Sequence, residues 1–570
     1  MHSLCLFLYF FLWTKGAGAS DPTMPFMEYL DQKHLVCLKW NFDDLKGTIT
    51  FKLVVNTTGW ISFGFSPNGG MAGSDIVVGG VGPDGKYFTD RYAKGNSEPL
   101  IDEQQSYTLL DLSENDGQTS MIFQRSIQSC DDQDFHITAQ PIKLIYAYGT
   151  TDKIEYHGTR RGTKEVNLLN YRYRSPLPSD KYLSATVDNI TVPPLETYYH
   201  CKYMTFPTFI KKHHIYRIEP VVDNSDIVHH LVLYSCPPSV NQSFENACHL
   251  IDTEDFCMGV VAGWAVGGGV FEFPDDAGIP FGGGSSDTYY KLEIHYNNPN
   301  HEKDRTDSSG LRLHYTDKLR KYDVGVLLTG VLSYGSMTYN IPPGATQFHT
   351  YSTCDTALFS KFLNPMPDLQ VFAVLLHTHL AGRKVRVGHF RQEKQIDFLG
   401  VNENYNFEMQ EIVSLGKTKT IKMDDKIQVE CTYNTVNRTG VTKMGHGTSD
   451  EMCLAFLFYY PAINVTTCIS HPNTYPSEGT NNQASNISSL SQEEIVEYET
   501  TLQTLPQIQI ILTDDSQHLI DENGRIRDMM KTPSISCQND NASSRSSSLG
   551  TSWVINKAGP TLFLLWSVIM

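Results

Sequence analysis

The sequence predicts an all-β protein built from several sandwiches. Its apolar runs are short, of strand length, and clusters of Gly and Pro separate them. Long stretches with helical periodicity are scarce. At 570 residues the chain is also too long for one core, since domains average roughly 150 residues. A hydrophobic share of 40% against 19% charged residues excludes a mostly disordered chain.

The elements follow in order. Residues 1–19 read as a leader: an apolar run from Leu4 to Trp13, then Ala17-Gly18-Ala19 as a cleavage pattern, too short to span a bilayer. A first block covers 25–150, with strands expected at 49–55, 60–65 and 144–148. A linker, rich in Arg, Ser and Pro near 171–179, fills 151–191. The second block, 192–322, carries strands at 227–234 and 289–296. The third, 323–472, carries them at 371–380 and 454–460. Residues 473–552 are expected to be tail and stalk, with a Ser- and Asn-rich tether at 473–491 and some structure in 492–537. Residues 553–570 end in an apolar segment. It reads as a GPI signal, a short membrane anchor or an uncleaved apolar end.

Charge and cysteine usage bound the partners and the compartment. Acidic residues outnumber basic ones by 63 to 45, for a net charge of -18, which argues against a phosphate footprint and so against nucleic acid. Twelve cysteines, with Cys5 lost in the leader, leave an odd eleven in a compartment that favours disulfides. N-x-S/T sequons at Asn56, Asn189, Asn241, Asn437, Asn464, Asn486 and Asn541 fit a glycosylated chain of the secretory pathway, membrane-anchored or secreted.

Four histidine- or methionine-bearing motifs carry potential chemistry. In Leu375-Leu376-His377-Thr378-His379 an apolar strand would project both imidazoles from one face, as half of a metal site or as a hydrogen-bonded structural pair. In Val228-His229-His230-Leu231 the two rings are adjacent, so a regular strand would aim them oppositely. Only a bulge or a strand end re-aims one of them. His295 stands alone on the strand Lys291-Leu292-Glu293-Ile294-His295-Tyr296, where a lone histidine is usually a satisfied core residue. Met452, in Asp450-Glu451-Met452-Cys453, offers a soft thioether that prefers Cu(I), although a lone Met before an apolar strand is usually core. His213-His214 follows two lysines and reads as a solvated strand entrance, and His446 sits in a glycine-flanked loop. H-E-x-x-H and G-x-S-x-G are absent. Gly416-Lys417-Thr418 has Glu411 where a phosphate loop needs glycine, and the glycine runs at Gly267 and Gly282 read as turns.

In this order the motifs resemble the copper type II, ascorbate-dependent monooxygenases. Trp264-Ala265-Val266-Gly267-Gly268-Gly269, His295-Tyr296-Asn297-Asn298-Pro299, His377-Thr378-His379-Leu380-Ala381-Gly382-Arg383 and Cys431-Thr432-Tyr433-Asn434-Thr435 strengthen the likeness over about 192–468. Gly59-Trp60-Ile61-Ser62-Phe63-Gly64 and Gly73-Ser74-Asp75-Ile76-Val77-Val78-Gly79 look like a DOMON domain, which places the chain nearest the dopamine beta-hydroxylase-like branch. The resemblance implies a DOMON β-sandwich followed by two jelly-roll-like β-sandwich copper domains. It implies an oxidoreductase with two coppers per chain, one held by His229, His230 and His295 and the other by His377, His379 and Met452. Ascorbate would supply the electrons, and one atom of O2 would enter a C–H bond of a small molecule.

The resemblance also implies the disulfides Cys201–Cys248, Cys236–Cys257, Cys354–Cys468 and Cys431–Cys453. Cys130 would reach Cys537, and Cys37 would be left over. The peptide-amidating member of the family has Arg where this chain has Leu375, and Asn and Tyr where it has Leu454 and Phe456. A peptide carboxylate would lack its partner here, so an apolar, aromatic or amine-type substrate is expected. The alternative is a catalytically silent cell-surface protein whose DOMON block binds a ligand. Zinc is the third option for the histidines, and Met452 speaks against it.

Overall fold

Along the strand Thr48–Val55, Ile49, Phe51, Leu53 and Val55 are buried and the residues between them half-buried. That period of two is what one covered face requires. It is repeated through a computed structural model that describes residues 24–530, apart from 25, 44–45, 130, 132, 138–140, 170–180, 249–256, 258, 285–287, 333–338, 475–486 and 516. The leader, the apolar C-terminus, Cys130, Cys537, Asn486 and Asn541 lie outside the described residues. Of the other sequons, Asn56, Asn189, Asn241 and Asn437 are exposed and Asn464 is half-buried.

The first sandwich sets a five-stranded sheet, with Thr48–Val55 at its centre, against a six-stranded sheet built around Ile61–Ser66 and Asp75–Gly82. Phe51, Phe63, Phe65 and Phe123 fill the space between them. The second sandwich packs a sheet containing His213–Val221 and Gly310–Thr316 over one ordered Phe244–Ala247, Thr197–Thr205, Tyr289–Asn297, Val228–Ser235, Gly259–Ala265. The third packs a seven-stranded sheet over the strands Phe348–Asp355, Lys426–Tyr433, Gly382–Arg391 and Lys394–Asn402. All-β is therefore the observed class, with one α-helix, Gln492–Thr504, among the described residues.

The sheets run past the block limits expected from sequence. Arg161–Val166 pairs with Ile142–Tyr148 in the first sandwich, and Tyr182–Thr186 pairs with Gly310–Thr316 in the second, so parts of the expected linker are sheet. Beyond 472, Gln507–Thr513 and His518–Gly524 extend the seven-stranded sheet. Buried Ile508, Ile510 and Ile511 account for that, and Ile495 and Leu502 seat the helix on the third core.

The seam between the second and third sandwiches positions the site. In Cys453–Tyr460 the residues Cys453, Ala455, Leu457 and Tyr459 face the third core. Phe456 and Phe458 face the core of the second. The strand Leu369–His377 divides the same way: Val371 and Val374 point to the third core, Phe372, Ala373 and Leu375 to the second. Both faces of these strands are covered, which is why they read as unbroken apolar runs. Among the described residues four disulfides close the frame: Cys201–Cys248, Cys236–Cys257, Cys354–Cys468 and Cys431–Cys453. Cys37 is free.

His214 departs from expectation. The reading as a solvated strand entrance fails because the strand His213–Val221 is paired on both sides. His214 is buried, its Nε2 lies 2.9 Å from Asp323 Oδ1, and its Nδ1 accepts from Arg320 N at 2.9 Å.

The first sandwich also buries acids. Asp75 accepts from Arg125 Nη1 (2.7 Å), Tyr107 Oη (2.8 Å) and Phe135 N (2.9 Å), whereas Asp90 accepts from Ser106 N (2.9 Å) on one oxygen. Burial pushes the Asp90 carboxyl up to about 8 and the Asp75 carboxyl to about 6. Both folded values exceed the unfolded one near pH 4, so the folded chain binds more protons in that window and stability falls as pH rises through it. Calorimetry should find this sandwich unfolding several degrees lower at pH 8 than at about pH 5.5. Asp90→Asn should flatten most of that dependence, and an unchanged slope would refute the assignment.

Candidate metal centre

The adjacent pair His229-His230 is re-aimed by a bulge. Against Tyr289–Asn297 the register steps from Val228↔Tyr296 to His230↔His295, so His229 is the extra residue. Of the two devices the sequence allowed, a bulge or a strand end, the bulge forms, and it brings three rings together. His230 Nδ1 lies 3.3 Å from His229 Nδ1 and 3.4 Å from His295 Nδ1, and one nitrogen from each residue falls within 4.8 Å of the others. On the far side His229 Nε2 donates to the Phe407 carbonyl (3.1 Å), and His295 Nε2 lies 3.1 Å from Thr448 Oγ1. Tyr199 stacks on His295, with centroids 4.4 Å apart and planes 2° from parallel, and its hydroxyl donates to the His446 carbonyl at 2.8 Å. His446 itself stays at the rim, half-buried.

His377 ends the strand Leu369–His377, and His379 lies beyond it. The expectation that both project from one strand is corrected by Glu451. Its buried carboxylate accepts from Thr378 Oγ1 (2.7 Å), His379 N (2.9 Å) and Ala381 N, and these bonds draw the backbone out of the ladder into a turn. The rings still meet, with centroids 5.1 Å apart and planes at 83°. His377 Nδ1 donates to Gln410 Oε1 (2.7 Å) and His379 Nδ1 to the Asp450 carbonyl (3.2 Å), so both Nε2 atoms are left for a ligand. His379 Nε2 is buried without a hydrogen-bond partner.

Met452 is buried beside Leu328, Leu454 and Phe456. The ladder pairs His377 with Leu454, which brings Met452, two residues before Leu454, to the end of the sheet that His379 occupies. Tyr433 Oη donates to the Met452 carbonyl (2.8 Å), and the Cys431–Cys453 bond braces the neighbouring residue.

The two clusters touch. His230 and His377 have ring centroids 5.6 Å apart at 89°. Phe407 caps both, stacked on His229 at 3.9 Å and edge-on to His379 at 6.1 Å. Burial holds the imidazoles neutral: it pulls His229 and His377 down to about 4, and His230, His295 and His379 well below the usual range. Neutral, convergent imidazoles with outward protons already placed are what a late transition metal requires. Three nitrogens in one cluster, and two nitrogens with a thioether at hand in the other, fit copper.

Phe407, Gln410, Thr448, Tyr199 and Glu451 complete the site without a chemical signature of their own in the sequence. Only Glu451 lies within one of the histidine- or methionine-bearing motifs. The others act across long separations, and two of the acceptors are backbone carbonyls.

Residues 183–303 match the family model of the copper type II ascorbate-dependent monooxygenase N-terminal domain, 322–480 that of its C-terminal domain, and 32–149 the DOMON domain. DBH-like monooxygenase protein 1 of Homo sapiens is 37% identical over 473 residues, covering 80% of this chain and 76% of that protein. DBH-like monooxygenase protein 2 of Mus musculus is 35% identical over 554 residues, covering 94% and 89%. Dopamine beta-hydroxylase of Homo sapiens is 32% identical over 471 residues, covering 80% and 76%.

Glu451 gives the sharpest test of this geometry. Glu451→Ala strands two backbone N–H groups and should cost roughly 3 kcal/mol in denaturant unfolding. It should also release copper from the His377–His379 cluster while sparing the His229–His230–His295 cluster. Equal loss at both clusters would count against a local role.

Proposed function

Because the chain belongs to the copper type II ascorbate-dependent monooxygenase family, we propose that it hydroxylates a C–H bond of a small apolar or aromatic molecule, including amine-type ones. One copper is held by His229, His230 and His295 and a second by His377, His379 and Met452. The observation that carries the reading is the placement of protons: His229, His377 and His379 each give their outer N–H to a fixed oxygen and turn the other nitrogen inward. When bound, copper supplies the redox chemistry, in which O2, a C–H bond, two protons and two electrons from ascorbate yield an alcohol and water.

The chain's own groups bind, orient and exclude water. The His377 and His230 ring centroids lie 5.6 Å apart, so the two clusters adjoin through these side chains. Met452 adds a thioether to the second set, which favours the reduced metal. Leu328, Leu454 and Phe456 form an apolar wall around it, and Leu375 pairs with Phe456 on the same strands. This wall lacks the guanidinium that a peptide carboxylate would need, which supports a less polar substrate. The four disulfides support an oxidising, secretory location.

Copper content of the purified full-length chain tests the reading. About two coppers per chain are expected after reconstitution, falling by about one in His377→Ala, whereas Met452→Ala should retain copper with weakened Cu(I) binding. Ascorbate-dependent O2 uptake with an aromatic or phenylethylamine-type substrate should accompany full loading. Copper bound without such uptake would leave a binding protein, and little or no copper would overturn both assignments.

A further inference from the structure

The segment between Lys394–Asn402 and Val413–Ile421 is where all three sandwiches meet. The third sandwich holds it through Tyr405, whose N donates to the Arg383 carbonyl (2.8 Å) and whose hydroxyl donates to the Thr378 carbonyl (2.6 Å). The second holds it through Gln410 N, which donates to the Val266 carbonyl (2.8 Å), next to a parallel bridge between Gly267 and Gln410. A Cβ on Gly267 would stand 2.2 Å from Met409 Sδ, and the residue has φ +88°, so only glycine permits this approach. The first sandwich holds the segment through Glu165, whose Oε2 accepts from Asn406 Nδ2 at 2.9 Å.

Within that segment the buried Gln410 side chain reaches both histidine clusters. Its Oε1 accepts from His377 Nδ1 at 2.7 Å. Its Nε2 donates at 2.8 Å to the Phe407 carbonyl, the same oxygen that accepts from His229 Nε2 at 3.1 Å. The chain His229, Phe407 carbonyl, Gln410 amide, His377 is continuous. A primary amide is the side chain that offers an acceptor to one partner and a donor to the other in one plane. A carboxylate would keep the first bond and repel the carbonyl, and a thioether of similar length would keep neither.

We infer that Gln410 is a positioning residue that interlocks the two copper-binding clusters, fixing the His377 ring directly and the His229 ring through the Phe407 carbonyl. The first sandwich anchors this lock through the Glu165–Asn406 bond. The inference rests on the reading of these histidines as copper ligands, and it gives the first sandwich a part in the site without requiring a ligand of its own.

Cu(I) affinity at each cluster, measured by competition with a chelator on the full chain, tests it. Loss of an outer partner to a ligand histidine typically weakens metal binding by about 10- to 100-fold. Gln410→Met should weaken both clusters by at least about tenfold, although Gln410 is ligand to neither. Gln410→Glu should weaken the cluster containing His229 and spare the other. Asn406→Ala, away from the rings, should weaken both clusters by a smaller factor with an unfolding midpoint close to the parent. A merely structural glutamine would lower the midpoint of Gln410→Met and leave the affinities of the folded fraction unchanged, and that result overturns the proposal. Equal effects of Glu and Met at both clusters would overturn the relay through Phe407. If the parent chain itself bound no copper, the ligand reading would fall first and this inference with it.

Discussion

A neutral imidazole has one lone pair to give, and the whole site depends on where each ring keeps its proton. Here that choice is made by oxygens outside the clusters. The carbonyls of Phe407 and Asp450 and the side-chain oxygen of Gln410 can only accept, so they pin the protons of His229, His379 and His377. Burial then removes the alternative of charging the rings. The strands, the turn at Glu451 and the seam between sandwiches serve to bring those oxygens to those nitrogens.

The seam is itself a consequence of composition. Leu369–His377 and Cys453–Tyr460 are apolar on both faces, and such strands cannot sit at the surface of a lone sandwich. The second core takes up their outer residues Phe372, Ala373 and Phe458. The core of the second sandwich thus extends onto the outer face of the third, and the histidine clusters lie at this seam.

Much of this was legible beforehand. The strands at 49–55, 289–296 and 454–460 declare themselves by short apolar runs between turn residues, and they form where expected. By the two-residue period, adjacent histidines meet on one side only at a bulge or a strand end, and here the register steps at His229. Of the disulfides implied by family likeness, the four whose cysteines are described are formed, and Cys130–Cys537 lies outside the described residues. What stayed hidden was contact without local signature. His379 leaves its strand because of a carboxylate 72 residues away, and His214, buried in a strand paired on both sides, meets its partner Asp323 109 residues on. The strands beyond 472 are expected only as some structure within a tail, because Ser- and Asn-rich residues precede them, although Ile508 to Ile511 carry an apolar core pattern.

The oxygen shared by His229 and Gln410 belongs to the main chain of residue 407. No substitution at that position deletes it, because every residue brings the same carbonyl. The ring stacked on His229, by contrast, belongs to the side chain and changes with it. Divergence at this one position therefore separates two properties that usually change together. The proton on His229 is inherited with the backbone, while the polarity and bulk above the cluster are open to drift and selection. A lineage that acquires a new substrate has a place to retune its metal environment without first dismantling it.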